Sequence, residues 1–193
     1  MRPLVGSWPY WLVFWLVFVW VYFIEFLLTA RTRSKAGKQD AGTLPLVVVM
    51  QFVAMSAAFI LAFSFRLGGV SYPRSWFWAG IGVMIGGSLL RRHCFRMLGS
   101  SFTAAVVVVQ NQEIVERGAY RWVRHPSYTG GLLIYTGMGL ALGNWMSLAE
   151  IVGVTWASYL FRVRAEETAL VETLGEPYRD YMRRTKRFIP MVI

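Results

Sequence analysis

Two long apolar runs, 8–28 and 44–65, constrain this chain more than any other feature. A helix crossing a hydrocarbon core needs about 20 apolar residues, and each run supplies that. The first holds a single charge, Glu25, near its far end, and the second holds none. A soluble domain is about 45–50% apolar; here 56% of the residues are hydrophobic, and the excess sits in such runs. The run at 8–28 lacks a basic flank beyond Arg2 and is long and aromatic, so it reads as a retained span rather than a cleaved leader.

Three further runs complete the expectation. The run 76–98 is apolar as far as Leu90 and continues through Arg91 and Arg92; its Gly80, Gly82, Gly86 and Gly87 offer a small-residue face for close helix packing. Runs 131–143 and 146–162 flank Gly143-Asn144, which is turn chemistry. They predict a tight helical hairpin, the alternative being one unbroken helix too long for a single span. The expected fold is an all-α integral membrane protein with five spans, forming a single domain over 1–193. With the N-terminus outside, all 20 Lys and Arg except Arg2, Arg66 and Arg74 fall on the inner side, as the positive-inside rule requires. Segments 99–130 and 163–193 are then cytoplasmic. The net charge of +10 therefore reads as topology and attraction to anionic lipid, not as a nucleic-acid face.

The cytoplasmic segments have their own patterns. Residues 102–109 are β-branched and apolar, 110–112 signal a turn, and Ile114-Val115 can pair back, which suggests either a short hairpin on the membrane face or an irregular loop. The tail reads as a helix over 162–174 stopped by Gly175. A second helix starts at Pro177, with Tyr178, Tyr181 and Met182 on one side, and is expected to lie at the interface.

Several residues are placed where chemistry is possible. His125 follows Arg124 and precedes Pro126, which keeps the pair extended; Gly130-Gly131 allows close backbone approach. The segment either ends a loop and aims the next helix, or presents a rigid imidazole and Tyr128 to a small polar ligand. Arg162 and Glu166 share a helix face at i, i+4. They form an ordinary ion pair, or a guanidinium at the inner lipid boundary that clamps a carboxylate beside a carboxylate that accepts from hydroxyl or amino groups. Glu167 lies about 100° further round and makes no obvious dyad with Glu166. Glu25 can snorkel or pair with Arg31 or Arg33, and Glu150 reads as structural. Cys94, the sole cysteine, and His93 sit in a basic cluster without metal-ligand spacing, so no metal is expected. Nucleophile-elbow, phosphate-loop, zinc-protease and dinucleotide motifs are absent from the sequence. A transfer reaction from a preformed electrophile needs none of them; it needs two aligned reactants and exclusion of water.

The motifs R-H-P-S-Y-T-G at 124–130, E-E-T-A-L at 166–170, G-E-P-Y-R-D-Y at 175–181 and R-F-I-P at 187–190 resemble the isoprenylcysteine carboxyl methyltransferase family. The likeness extends back through L-G-S-S-F-T at 98–103 and E-I-V-E-R-G-A-Y at 113–120. It implies a membrane methyltransferase of non-Rossmann fold that uses S-adenosyl-L-methionine, yields S-adenosyl-L-homocysteine, and takes a lipophilic substrate from the bilayer. By position it implies cofactor contacts from Gln112, Glu113, Ile114, Val115, Tyr120, His125, Pro126, Ser127, Tyr128 and Glu166. Arg162 would face the substrate carboxylate. Gln112 stands where members commonly have His, and Ala119 where bacterial relatives often have Pro; Gln hydrogen-bonds but cannot carry a proton. Phospholipid N-methyl and thiol S-methyl transfer, and an NADPH-dependent sterol-reductase-like activity, are the competing readings.

Overall fold

The computed structural model describes residues 3–33, 43–65, 68–99 and 114–188 (backbone only for 28–33). The described chain is helical: α1 (Tyr10–Arg33), α2 (Thr43–Ser64), α3 (Pro73–Leu98), α4 (Pro126–Leu142), α5 (Trp145–Leu174) and α6 (Glu176–Arg184), with 3₁₀ turns at Leu4–Gly6 and Gly118–Arg121. Of the hairpin considered for 102–115, all but Ile114 and Val115 lies outside the described residues, and those two belong to no helix or strand.

The bundle closes around α3, α4 and α5, with α1 against α3 and α2 against α5. Phe14, Ala54, Ala58, Phe77, Met84, Met138, Leu142 and Ile151 form its core. Two helices, Tyr10–Leu27 and Thr43–Ser64, are long and apolar enough to cross a membrane. Their outward faces carry Trp11, Leu16, Val19, Phe23, Phe26, Val49, Phe52, Val53 and Ile60, all exposed. Apolar surface on that scale calls for a lipid or protein covering.

Close backbone approach explains two of the four α3 glycines. A Cβ on Gly80 would lie 2.5 Å from the Gly137 carbonyl oxygen, and one on Gly87 would lie 2.6 Å from that of Gly130. Gly82 and Gly86 face open space. The small-residue face is thus a seam of i, i+7 spacing against α4 rather than the whole quartet. Gly80→Val is expected to destabilise the protein by about 2 kcal/mol, the usual penalty of overpacking, whereas Gly82→Ala stays within about 0.5 kcal/mol. Thermal unfolding in detergent reads both; equal midpoints would remove the seam from the account.

Helices α2 and α5 are joined by polar groups. Gln51 donates from Nε2 to Ser158 Oγ at 2.7 Å and accepts at Oε1 from Thr155 at 3.0 Å. Ser147 Oγ donates to the Ala58 carbonyl. In lipid such hydrogen bonds hold helices together where apolar burial between them gains little. The α4–α5 turn is as the sequence predicts: Gly143 is left-handed at φ 65°, and Asn144 caps α5 by accepting from the Met146 and Ser147 amides.

Helix α5 is one unbroken element of 30 residues, about 45 Å long at 1.5 Å per residue. That exceeds a hydrocarbon core of about 30 Å, and its C-terminal part is the polar one. This part carries Arg162, Glu166 and Glu167. Gly175 then stops it, and Pro177 sits in the first turn of α6, which buries Tyr178 and Tyr181.

Candidate active site

The site gathers where the start of α4 meets the C-terminal part of α5. Pro126 opens α4, and His125 is its N-cap residue. Helix formation therefore begins earlier than the expected span at 131, and this changes the role of Gly130-Gly131. A Cβ on Gly130 would lie 2.7 Å from Arg91 Cγ, and one on Gly131 2.5 Å from the Tyr159 hydroxyl. These glycines admit helix packing, not a ligand.

The backbone amides before Pro126 are likewise occupied. Residues 185–188 run alongside 122–125 in parallel, bridging Val123 and Lys186. Arg124 N donates to the Lys186 carbonyl at 2.8 Å, and His125 N to that of Arg187 at 3.0 Å. Thr129 Oγ1 donates to the Phe188 carbonyl at 2.7 Å, and the Phe188 ring packs near His125 and Trp156. The rigidity expected from Pro126 thus comes in large part from this terminal strap.

The two adjacent glutamates divide. Tyr128 donates its hydroxyl to Glu166 Oε2 at 2.9 Å and lies in hydrogen-bonding reach of Arg162. Arg162 is buried, 4% exposed, and donates to Thr43 Oγ1 on α2. So Tyr128, Arg162 and Glu166, all expected site residues, are brought together. Glu167, which helical spacing alone does not single out, is the more buried carboxylate at 4% exposure. It accepts from Arg124 Nε at 2.6 Å and Arg187 NH2 at 2.8 Å, and lies 3.3 Å from His125 Nε2. Burial by itself pushes its carboxyl upward; the hydrogen bonds from His125, Arg187 and Arg124 overcome that and hold its pKa at about 2. His125 therefore meets Glu167, not Glu166.

Glu25 pairs with Arg91 of α3 at 2.8 Å, a partner brought from another helix. Arg91 in turn donates to the Ser127 carbonyl at 2.9 Å, which ties α1 and α3 to the turn after His125. Pro126 is buried, and Ser127, Ile114 and Val115 are half-buried. Gln112 and Glu113 lie outside the described residues. Tyr120 is 5% exposed; its carbonyl accepts from the Tyr181 hydroxyl at 2.6 Å. Its own hydroxyl is buried and closes no hydrogen bond of good geometry among the described residues. Burial pushes that hydroxyl's pKa up, and the neighbouring charge of Glu166 adds to this.

These features define an all-helical membrane protein with a polar, partly buried site at one end of its bundle. Residues 80–172 match the model of the isoprenylcysteine carboxyl methyltransferase (ICMT) family. A Schizosaccharomyces pombe protein-S-isoprenylcysteine O-methyltransferase is 31% identical over 59% of this chain and 49% of its own length. A probable protein-S-isoprenylcysteine O-methyltransferase of Oryza sativa subsp. indica is 26% identical over 87% of this chain and 89% of its own. The solved structure of the eukaryotic intramembrane Ras methyltransferase ICMT superposes with TM-score 0.65 at 25% identity, covering 91% of this chain and 64% of that one. The chain is thus similar to the isoprenylcysteine carboxyl methyltransferase family in sequence over residues 80–172 and in fold over most of its length. It spans about half the length of the S. pombe relative and about two thirds of the solved chain.

Proposed function

We propose that the chain is a methyltransferase that esterifies a carboxylate on a lipophilic, membrane-embedded acceptor, with a prenylated cysteine the favoured substrate and S-adenosylmethionine the donor. The observation that carries this reading is the Tyr128 hydroxyl set between Glu166 and Arg162. It puts a cation suited to a carboxylate beside a carboxylate suited to hydroxyl and amino groups, where α5 leaves the apolar bundle.

The residues fit such a donor. It carries hydroxyl and amino groups, an aromatic base and a cationic centre. Glu166 is half-buried and can accept more than the Tyr128 hydrogen bond. The unsatisfied Tyr120 hydroxyl can donate. Tyr128, Tyr159, Trp156 and Phe188 form an aromatic wall that suits a ring or a cation. Ile114, Val115, His125, Pro126 and Ser127, with Gln112 and Glu113, would complete its surroundings. When bound, the donor supplies a methyl group on a sulfonium sulfur.

The chain's own residues account for the rest. Arg162, fixed by Thr43 and Tyr128, orients an acceptor carboxylate. That group is ionised near neutral pH and needs no general base. Apolar helices around the site keep water from both charges. Five spans with the N-terminus outside would put the site on the cytoplasmic side, where the positive surface adds attraction to anionic lipid.

Purified protein incubated with methyl-labelled donor and candidate acceptors tests the reading. Label is expected in a prenylcysteine as a base-labile ester. Label in a lipid amine or thiol instead would change the acceptor, and protection by NADPH in place of the donor would overturn the assignment. Tyr128→Phe is expected to weaken donor binding about tenfold, the loss of one hydrogen bond to a charged group, read by calorimetry with S-adenosylhomocysteine.

A further inference from the structure

Beside the strap, α6 and the residues after it line an open groove of about 330 Å³, within the range of small-ligand sites. Five of its lining residues are cationic: Arg124, Arg183, Arg184, Lys186 and Arg187. The remaining two, Met182 and Thr185, are uncharged, so among the described residues no carboxylate lines the space.

The acids nearby leave this charge incompletely answered. Arg183 pairs with Glu176 and Asp180, whose side chains are 59% and 54% exposed. Arg184 pairs with Glu116, 41% exposed. Ion pairs this exposed exchange readily with other anions. Arg124 and Arg187 share one buried carboxylate, Glu167, which His125 also approaches. The Lys186 ammonium has no ion pair among the described residues, while its backbone is fixed by the strap. A rigid backbone thus presents cations from two stretches of chain, Arg124 and the run 183–187, to one groove.

We infer that this cleft binds a phosphate-bearing anion, with the phosphate of an anionic lipid headgroup as the favoured source. Guanidinium groups match phosphate oxygens bidentately, and an ammonium adds a point charge. The inference does not depend on the donor or on methyl transfer. It goes beyond diffuse attraction because it names one space and its lining. It also links that space to the site, since Arg124 and Arg187 serve the cleft and Glu167 together.

The test uses the full chain in a neutral detergent, without methyl donor. Dioctanoyl phosphatidic acid, dioctanoyl phosphatidylcholine and inorganic phosphate are titrated separately against thermal unfolding. A saturable rise in midpoint is expected with phosphatidic acid, and none with phosphatidylcholine. Inorganic phosphate saturating at equal or lower concentration would retain the site and make free phosphate its source. Arg183→Gln with Lys186→Gln is expected to weaken binding about 25-fold, taken as about fivefold per cation. Neutralising Arg96 and Arg164, which lie outside the cleft, should change it less than twofold. Glu167→Gln releases Arg124 and Arg187, so any folded protein should bind phosphatidic acid more tightly. A response that does not saturate, or equal losses in the cleft and control variants, would overturn the inference. Donor binding, measured on the same samples with S-adenosylhomocysteine, reports separately on the proposed methyltransferase.

Discussion

Glu167→Gln is expected to destabilise the protein by about 3 kcal/mol, because it leaves partly buried guanidinium groups without their carboxylate. Activity should fall with it, since His125, Arg124 and the terminal strap converge on this one side chain. Glu167→Asp keeps the charge on a shorter stem and should recover part of the loss. The acid dependence follows from the sign of the shift. The folded carboxyl, at about 2, lies below its ordinary 4.5. Its contribution is therefore fully present above about 4.5 and drains away as pH falls toward 2. Unfolding midpoints of wild type and Glu167→Gln should differ most near neutrality and converge in acid. A constant gap across that range would mean that the charge is not what stabilises the site.

The second large effect separates the two ends of the Tyr128 bridge. Arg162→Ala is expected to lower turnover at least about a hundredfold, the scale seen when one preorganised charge-stabilising donor is removed. Binding of S-adenosylhomocysteine should survive. Glu166→Ala should do the reverse first, weakening that binding by tenfold or more while the protein stays folded. Arg162→Lys retains charge but loses the planar fork and should recover little. Calorimetry on both variants, followed by single-turnover assays at saturating donor, checks the split. Equal loss of binding in both would defeat the separate roles.

Local signals in the sequence carried well. Gly143-Asn144 turned the chain, Gly175 stopped α5, and Pro177 opened α6, each because a single residue's backbone preference decides such points. Arg162 and Glu166 were legible because helical spacing fixes which side chains share a face. What failed was everything that depends on distant partners. Spacing puts Glu167 at an angle from Glu166, but it does not reveal that Arg124 and Arg187 will meet there. For Glu25, spacing does not reveal that α1 lies against α3 and brings Arg91 to it. The Gln51–Thr155–Ser158 seam joins residues more than a hundred positions apart, and no periodicity marks it. Gly130-Gly131 allows a close approach, as expected, but to Arg91 and Tyr159 rather than to a ligand, and Pro126 does end the loop and aim the next helix. Pro126 occupies the first turn of that helix, where its missing N–H is no loss.

The parallel pairing of 122–125 with 185–188 also carries a timing consequence. During synthesis the imidazole and its arginine neighbour emerge well before the stretch that fastens them. Helices α1 to α4 can pack while that stretch is still inside the ribosome, and α5 and α6 can follow as they emerge, ahead of the pairing. The chain should then pass through a stage that is folded yet unable to hold a ligand, and shortening it after Arg184 should trap that stage.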